Sequence, residues 1–281
     1  MIELNKTDVA ELKEKAAEIR RTFINMIHAA GSGHAGGSLS ATDILTLLYY
    51  RRLNVNPDMP DDPDRDRLVL SKGHACPVLY AILADKGFFA KEELGTFRQF
   101  HSILQGHPDK NKVPGIEISS GSLGMGISFG LGTALGARLS EKNYRTYVIT
   151  GCGELNEGQN WEAFMSAAKF KLENLTVIVD YNKVQLDGTN DEVMPMGDLK
   201  AKISSFDWNV VECDGHDFES IANALNEAES CKGKPTAILA HTVKGKGVSF
   251  MEGKSEWHGK TIDDVSYKMA MKELGGCEYA E

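Results

Sequence analysis

Tyr147-Val-Ile-Thr-Gly-Cys-Gly-Glu-Leu-Asn-Glu-Gly158, with Leu175-Thr-Val-Ile-Val-Asp-Tyr-Asn182 downstream of it, is the stretch that decides the fold. Residues Tyr144–Thr150 predict a strand, Glu157–Phe170 a helix, and Leu175–Asp180 a second, nearly all-apolar strand. Continuous apolar runs mark strands buried on both faces, as in a parallel sheet. A strand, a crossover helix and a parallel strand need about 30 residues. Positions 152 and 182 are 30 apart. Right-handed crossover geometry then brings both exit turns to one edge of the sheet. Cys152 and Asn182 should therefore face a common ligand, with Gly151 and Gly153 letting the backbone come close. The helix after Gly158 should direct its amino end to the same edge, where an anion is favoured.

Working outward, Asn209–Cys213 and Thr236–Ala240 read as strands around a helix over Phe218–Glu229. Upstream, Leu68–Leu70 is a short strand with Ser71-Lys-Gly-His74 as its exit turn. Pro77 suits the first turn of the next helix, and Gly87 its end. Gly126–Leu139 predicts a helix rich in small residues, whose glycines call for burial against close neighbours. At the N-terminus Val9, Leu12, Ala16, Ile19, Phe23 and Ile27 step by three or four, an amphipathic helix with Asp8 in its first turn. The run Gly31-Ser-Gly-His-Ala-Gly-Gly37 is expected to be neither helix nor strand. A second helix should start at the capping signature Ser40-Ala-Thr-Asp43. Strands alternating with helices predict an α/β fold, a parallel sheet with helices on both faces. One domain is expected over 1–281, with a mobile tail from about residue 260.

Lys and Arg number 31 against 40 Asp and Glu, a net charge of −9 that argues against nucleic acid and anionic membrane as partners. Five cysteines, an odd number without a C-x-x-C pair, fit neither a disulfide framework nor a zinc ribbon. Free thiols suit a reducing compartment, and the charged start lacks a signal core, so a cytoplasmic protein is expected.

Ligands of open α/β sheets bind beyond the carboxyl ends of the strands. The candidate turns are Ser71–His74, Thr150–Gly158, Asp180–Asp187, Asp214–Asp217 and His241–Gly247. Gly151-Cys-Gly153 followed by Asn182 resembles the thiamine diphosphate fingerprint of transketolases, in which an Asp stands between two glycines ahead of a distant Asn. Other blocks resemble that family in the same order. They are Gly33-His34-Ala-Gly-Gly-Ser38, Ser71-Lys-Gly-His74, Gly106-His107-Pro108, Ser120-Gly-Ser-Leu-Gly-Met-Gly126 and His258-Gly259. The likeness runs from about residue 15 to 260 and spans only the diphosphate-binding domain. The chain thus resembles the N-terminal subunit of a split transketolase.

That resemblance implies thiamine diphosphate with Mg²⁺ or another divalent cation. Gly151, Gly153 and Glu154 would line the diphosphate. Asn182 and the Val184 carbonyl, with position 152, would hold the metal. His74 and His258 would reach the diphosphate or the substrate, and His34 and His107 would line the substrate channel as catalytic groups. Gly121, Ser122 and Leu123 would meet the aminopyrimidine, and Glu157 and Glu162 would link cofactor sites across a dimer. His28 and His101 are read as structural, and His216, His241, Lys244 and Lys246 are left unassigned. Sugar phosphates are the implied substrates. A separate C-terminal subunit carrying the pyrimidine-binding domain is the implied partner, in an α₂β₂ assembly. Cys152 departs from the family's Asp, and a thiol is a poor ligand for Mg²⁺. Three readings of that change are metal held by the remaining groups, a softer metal, and a degenerate scaffold subunit. A related enzyme, such as one forming deoxyxylulose phosphate, is a further alternative. A dinucleotide-binding dehydrogenase is disfavoured, because Gly130-Leu-Gly-Thr-Ala-Leu-Gly136 has the wrong glycine spacing.

Overall fold

The computed structural model describes residues 1–276. In chain order it contains α1 (Lys6–Ala30), α2 (Ala35–Leu47), β1 (Arg67–Leu70), α3 (Cys76–Lys86), α4 (Met125–Leu139), β2 (Thr146–Gly151) and α5 (Gly158–Lys169). There follow β3 (Leu175–Tyr181), α6 (Asn190–Val193), α7 (Leu199–Ser204), β4 (Asn209–Asp214), α8 (Phe218–Ser230), β5 (Thr236–His241) and α9 (Asp264–Glu273). The five strands form one parallel sheet in the order β1-β2-β3-β5-β4. The α/β reading holds, and the strand expectations are met to within about two residues.

Side chains alternate across the sheet with the period of two that a strand imposes. Leu68, Leu70, Tyr147, Ile149, Ile178, Ile238 and Ala240 pack with α1, α2, α3, α8 and α9. Val69, Val148, Val177, Val179, Ala237 and Leu239 pack with α4, α5 and α7. Helices on both faces leave the carboxyl edge of the strands as the open side.

Helix α1 starts at a capping box that the sequence reading missed: the Asn5 side chain accepts from the Thr7 and Asp8 amides, and Asp8 accepts from the Asn5 amide. It ends at Gly31 in the left-handed conformation, φ 62°.

Two expectations need correction. The glycine-rich run does not exclude a helix, for α2 begins at Ala35, well ahead of the expected cap at Ser40. All of α2 is buried. Gly36 is there for close packing, since a Cβ would stand 2.8 Å from the Trp257 carbonyl. Ser40 and Asp43 lie mid-helix and point to other elements. The glycines of α4 are demanded only on its buried stripe. A Cβ on Gly130 would meet Val148 at 2.3 Å, whereas Gly132 faces open space. The segment expected as a tail from about residue 260 carries the docked helix α9 as far as the described residues run. Ile262, Ala270, Met271 and Leu274 are buried, Arg21 donates to the Leu274 carbonyl at 2.8 Å, and His28 stacks on Tyr267 at 4.1 Å. The remainder of that expectation, 277–281, lies outside the described residues.

Gly126 locks α4 to the exit of β1. An added Cβ would stand 2.2 Å from Ser71 Oγ and 2.7 Å from Ser71 Cα, and backbone cannot move aside cheaply. Gly126→Ala is therefore expected to destabilise the fold by about 3 kcal/mol, the upper end of overpacking costs. Urea unfolding checks it, and a loss below about 1 kcal/mol would contradict the close contact.

Candidate active site

Four segments converge at the carboxyl edge: the exits of β1 (Ser71–His74), β2 (Gly151–Glu157) and β3 (Asn182–Leu186), and the turn after β5 that carries Lys244. They enclose a cleft of about 310 Å³. The amino end of α2 enters from the side, with Gly37 on the lining. A larger hollow beside Trp161, Met194 and Phe206 shares only Asn156 with its lining and gathers no comparable set of histidines and lysines.

The floor of the cleft is an ion pair. Asp180 has no exposed surface and Lys72 is 2% exposed; their side chains are salt-bridged. Asp180 also accepts from Ser40 Oγ at 2.5 Å, from Asn182 Nδ2 at 3.1 Å and from Thr242 Oγ1. Lys72 Nζ donates to the Gly37 carbonyl at 2.8 Å. Burial alone would raise the Asp180 pKa, but the Lys72 ammonium and these hydrogen bonds more than offset it and hold the carboxyl below its ordinary range. The pair thus fastens α2, β1, β3 and the β5 exit together.

Glu154 borders the cleft, but its carboxylate is turned to the protein rather than to a ligand. It accepts from Ser71 Oγ, from the Gly124 amide at 2.9 Å, from Thr150 Oγ1 at 2.7 Å and from the Gly151 amide at 3.1 Å. The glycines flanking Cys152 also differ in purpose. A Cβ on Gly151 would meet only Lys72 Cδ, at 3.7 Å, so its backbone is bare towards the cleft. A Cβ on Gly153 would meet Gln185 at 2.7 Å, so that glycine serves packing.

At the open end stand four histidines. The His74 and His258 rings stack at 4.8 Å, and His34 lies 5.2 Å from His74 and 5.4 Å from His258. His107 is exposed and 6.4 Å from His34. Burial and then Arg98 lower the His34 pKa to about 4. Burial and then Lys244 lower His258 to about 3. Burial, then His258, takes His74 well below its ordinary value, and burial, then Arg98, lowers His107. Lys244 Nζ stands 2.8 Å from His258 Nδ1 and donates to it, so the neutral ring keeps its proton on Nε2. Lys244 is 2% exposed and also donates to the carbonyls of Val184 (3.2 Å) and Gln185 (3.0 Å). Burial and then Lys72 lower its pKa to about 8.

The unfolded chain takes up protons at these imidazoles near pH 6.5, the folded protein only at about 4 for His34 and about 3 for His258. Stability should be complete above pH 6.5 and fall as the pH drops towards 3, because the unfolded state binds more protons in that window. Thermal melting at pH 7 and 4.5 checks this. His258→Asn is expected to flatten the decline, and an unchanged slope would contradict it.

Other expected site residues are dispersed. Leu123 lines the cleft mouth, whereas Gly121 packs under the His107 ring, with 3.1 Å for a Cβ, and Ser122 is exposed away from the lining. Glu157 lines the cleft beside Asn156, and Glu162 does not. His216 is structural: Nε2 accepts the Val243 amide at 2.8 Å, leaving Nδ1 to donate to Asp43 at 2.7 Å. Asp43 is shared with Arg20 at 2.7 and 2.9 Å. His241 pairs with Glu212 at the surface, Lys246 lies near Glu252, and His101 is exposed. Lys72 and Asp180, inside quoted blocks but given no role, are the groups the sequence reading missed, with Ser40, Thr242 and the buried state of Lys244.

The model of the family described as transketolase, thiamine diphosphate binding domain, matches residues 12–280. The chain belongs to this family. It is 40% identical over 266 residues to one of the subunits of the apulose-4-phosphate transketolase of Phocaeicola vulgatus, covering 95% of this chain and 94% of that protein. It is 42% identical over 264 residues to the 6-deoxy-6-sulfo-D-fructose transketolase subunit SqwG of a Clostridium species, covering 94% and 96%. The transketolase structure from Campylobacter jejuni superposes with a TM-score of 0.90 at 32% identity, over 96% of this chain and 44% of that one. The chain therefore spans under half the length of that transketolase and corresponds to the N-terminal half of the split form. No helix among the described residues is long and apolar enough to cross a membrane.

The transketolase cofactor suits the cleft, whose lining carries the Lys244 ammonium and the bare backbone of Gly151. A magnesium ion suits it less. Among the described residues no three His, Cys, Asp or Glu side chains are placed to hold a metal. Asn182 Oδ1 and the Val184 carbonyl are neutral oxygens. Cys152 is 1% exposed, and burial raises its thiol pKa. A protonated thiol offers a hard cation nothing comparable to a carboxylate.

Proposed function

We propose that this chain is the cofactor-holding subunit of a split transketolase, moving a two-carbon ketol unit between anionic sugars. The observation that carries this reading is the buried Lys244 ammonium on the lining of one cleft, with a cluster of neutral imidazoles at its open end. Bound thiamine diphosphate supplies the nucleophilic carbon and the electron sink for breaking the donor's carbon–carbon bond. Lys244 would offset part of the diphosphate charge while Lys72 stays paired with Asp180, and Gly151 would admit the diphosphate to the backbone. His258, its proton held on Nε2, donates to an oxygen of the bound ligands. His34, His74 and His107, uncharged at neutral pH, take donor hydroxyls and pass protons near the reacting carbon. Asn182 Oδ1 and the Val184 carbonyl would be the oxygens to hold a divalent cation, which would offset diphosphate charge.

Exposed Leu123 and Leu186 on the cleft lining support a second polypeptide there, one that completes the cofactor site, with an α₂β₂ assembly as the simplest closed arrangement. The free cysteines support residence in a reducing, cytoplasmic compartment. The named relatives act with apulose 4-phosphate or 6-deoxy-6-sulfo-D-fructose, which supports a ketose with a terminal anion as donor. A second reading, a scaffold subunit without catalysis, is favoured by Cys152 alone. Calorimetric titration of thiamine diphosphate, followed by ketol-transfer assays with and without the C-terminal subunit, separates them. Binding with partner-dependent transfer supports the first, and binding without transfer in the assembled pair supports the second. Transfer by this chain alone overturns the split-site reading.

A further inference from the structure

Arg98 sits beside two of the cleft's histidines and is held there at a cost. It stands at φ 62°, in the left-handed region that a residue with a side chain seldom adopts. Its amide donates to the Leu104 carbonyl at 2.8 Å, which folds the chain ahead of His107 into a closed loop. Gly106 then lies against the guanidinium, for a Cβ there would stand 2.8 Å from both Arg98 Cζ and Nη2. Arg98 Nη1 donates to Ser32 Oγ at 2.8 Å, while Nε is buried without a hydrogen-bond partner. A strained backbone and an orphaned N–H persist only where the surroundings impose them, and such costs gather at functional sites. What they secure here is one further contact: Arg98 Nη2 lies 3.4 Å from His34 Nδ1.

A guanidinium has donors only, so Nδ1 must accept, and the neutral His34 ring carries its proton on Nε2. The Nε2 edge faces Gly259, where an added Cβ would stand 3.5 Å away. The charged and titratable groups around the ring are Arg98 and His107 from this loop, His74 after β1, Lys244 after β5, and His258. We infer that Arg98 is a positioning residue: it fixes His34 as the Nε2–H tautomer, so that the ring enters ketol transfer as a hydrogen-bond donor to an oxygen of the donor sugar. The inference rests on the reading above, in which His34 meets that sugar. Arg98 acts through His34 and not on the sugar itself. Its charge, second to burial, also opposes protonation of the ring, whose pKa is lowered to about 4.

Nitrogen-15 spectra of the histidine side chains in the full chain test this, with the His34 signals identified by their loss in His34→Asn. At pH 7 the native chain should show His34 protonated at Nε2 alone. Arg98→Met should give a mixture of the two tautomers, and its His34 should take up a proton at higher pH than in the native chain, because the opposing charge is gone. Methionine bears the same backbone strain, so the change reports the guanidinium. Arg98→Lys, which keeps a charge and a donor, should recover most of the native spectrum. With the C-terminal subunit present, Arg98→Met should lower kcat about tenfold or more, part of the ~10²–10⁴ that a positioned proton-transfer group contributes. KM should change less, and the acid limb of the kcat–pH profile should move upward. Nδ1 protonation in the native chain, or an unchanged His34 spectrum in Arg98→Met, overturns the inference, as does a native kcat in that variant. Absence of transfer by the native assembled pair overturns the functional reading instead, and the spectra still decide the tautomer.

Discussion

Asp180→Ala is expected to lower the stability of the fold by about 3–5 kcal/mol, the usual cost of stripping a buried charge of its partner. Lys72 is 2% exposed, and its other hydrogen bond is to the Gly37 carbonyl. Without Asp180 the ammonium either remains charged in a poorly hydrated place or gives up its proton, and both are costly. Ser40, Asn182 and Thr242 lose their shared acceptor at the same time. The melting temperature should fall by about 10 °C, taking ~2–4 °C per kcal/mol for a chain of this size. Lys72→Met combined with Asp180→Leu should recover most of the loss, because an ion pair is more readily replaced whole than halved. A single-variant loss under about 1 kcal/mol, the range of surface pairs, would show that the pair is hydrated and not the floor of the cleft.

Lys244→Met is expected to weaken thiamine diphosphate binding by about 30- to 4,000-fold, the range for removing one side of a buried charged contact. The methionine keeps the length and apolar bulk of the stem, so the fold should tolerate it. It removes the donor to Val184, Gln185 and His258 together with the positive charge. The same group sets a pH dependence. Its pKa in the free protein is about 8, so below that it carries the charge that attracts a diphosphate. Affinity should hold from pH 6.5 to 8 and then fall up to tenfold per pH unit, since binding above pH 8 must first restore the proton. Isothermal titration between pH 6.5 and 9.5 checks both. A flat profile in the native chain, or Lys244→Met binding as well as the native chain, would remove Lys244 from the diphosphate site.

Much of this was legible before any coordinates. The apolar runs of β2, β3 and β5 admit one period and one kind of sheet, because a strand covered on both faces has no place for alternating polar residues. Once the strands are parallel, crossover handedness puts Gly151, Cys152 and Asn182 on one edge, and the position of the cleft follows. Local chemistry also read correctly at Pro77 and Gly87, where the constraint is a single residue's φ. It failed at Gly36 and Gly37. Propensity counts glycine as a helix breaker, but α2 is wholly buried, and the Trp257 carbonyl 2.8 Å from where a Gly36 Cβ would stand admits nothing larger.

What the sequence determined by itself was therefore the periodic part: the element order, the parallel sheet, and the edge on which polar turns gather. Which polar groups meet at that edge was decided only by tertiary structure. Lys72 and Asp180 lie 108 positions apart, and Lys72 reads in sequence as one more ordinary lysine. Glu154 reads as a ligand contact, yet its four hydrogen bonds turn it inward. Backbone periodicity is local and repeats along the chain, whereas the partner of a charge or an amide is chosen by distance in space, which the order of residues does not encode until the sheet has closed.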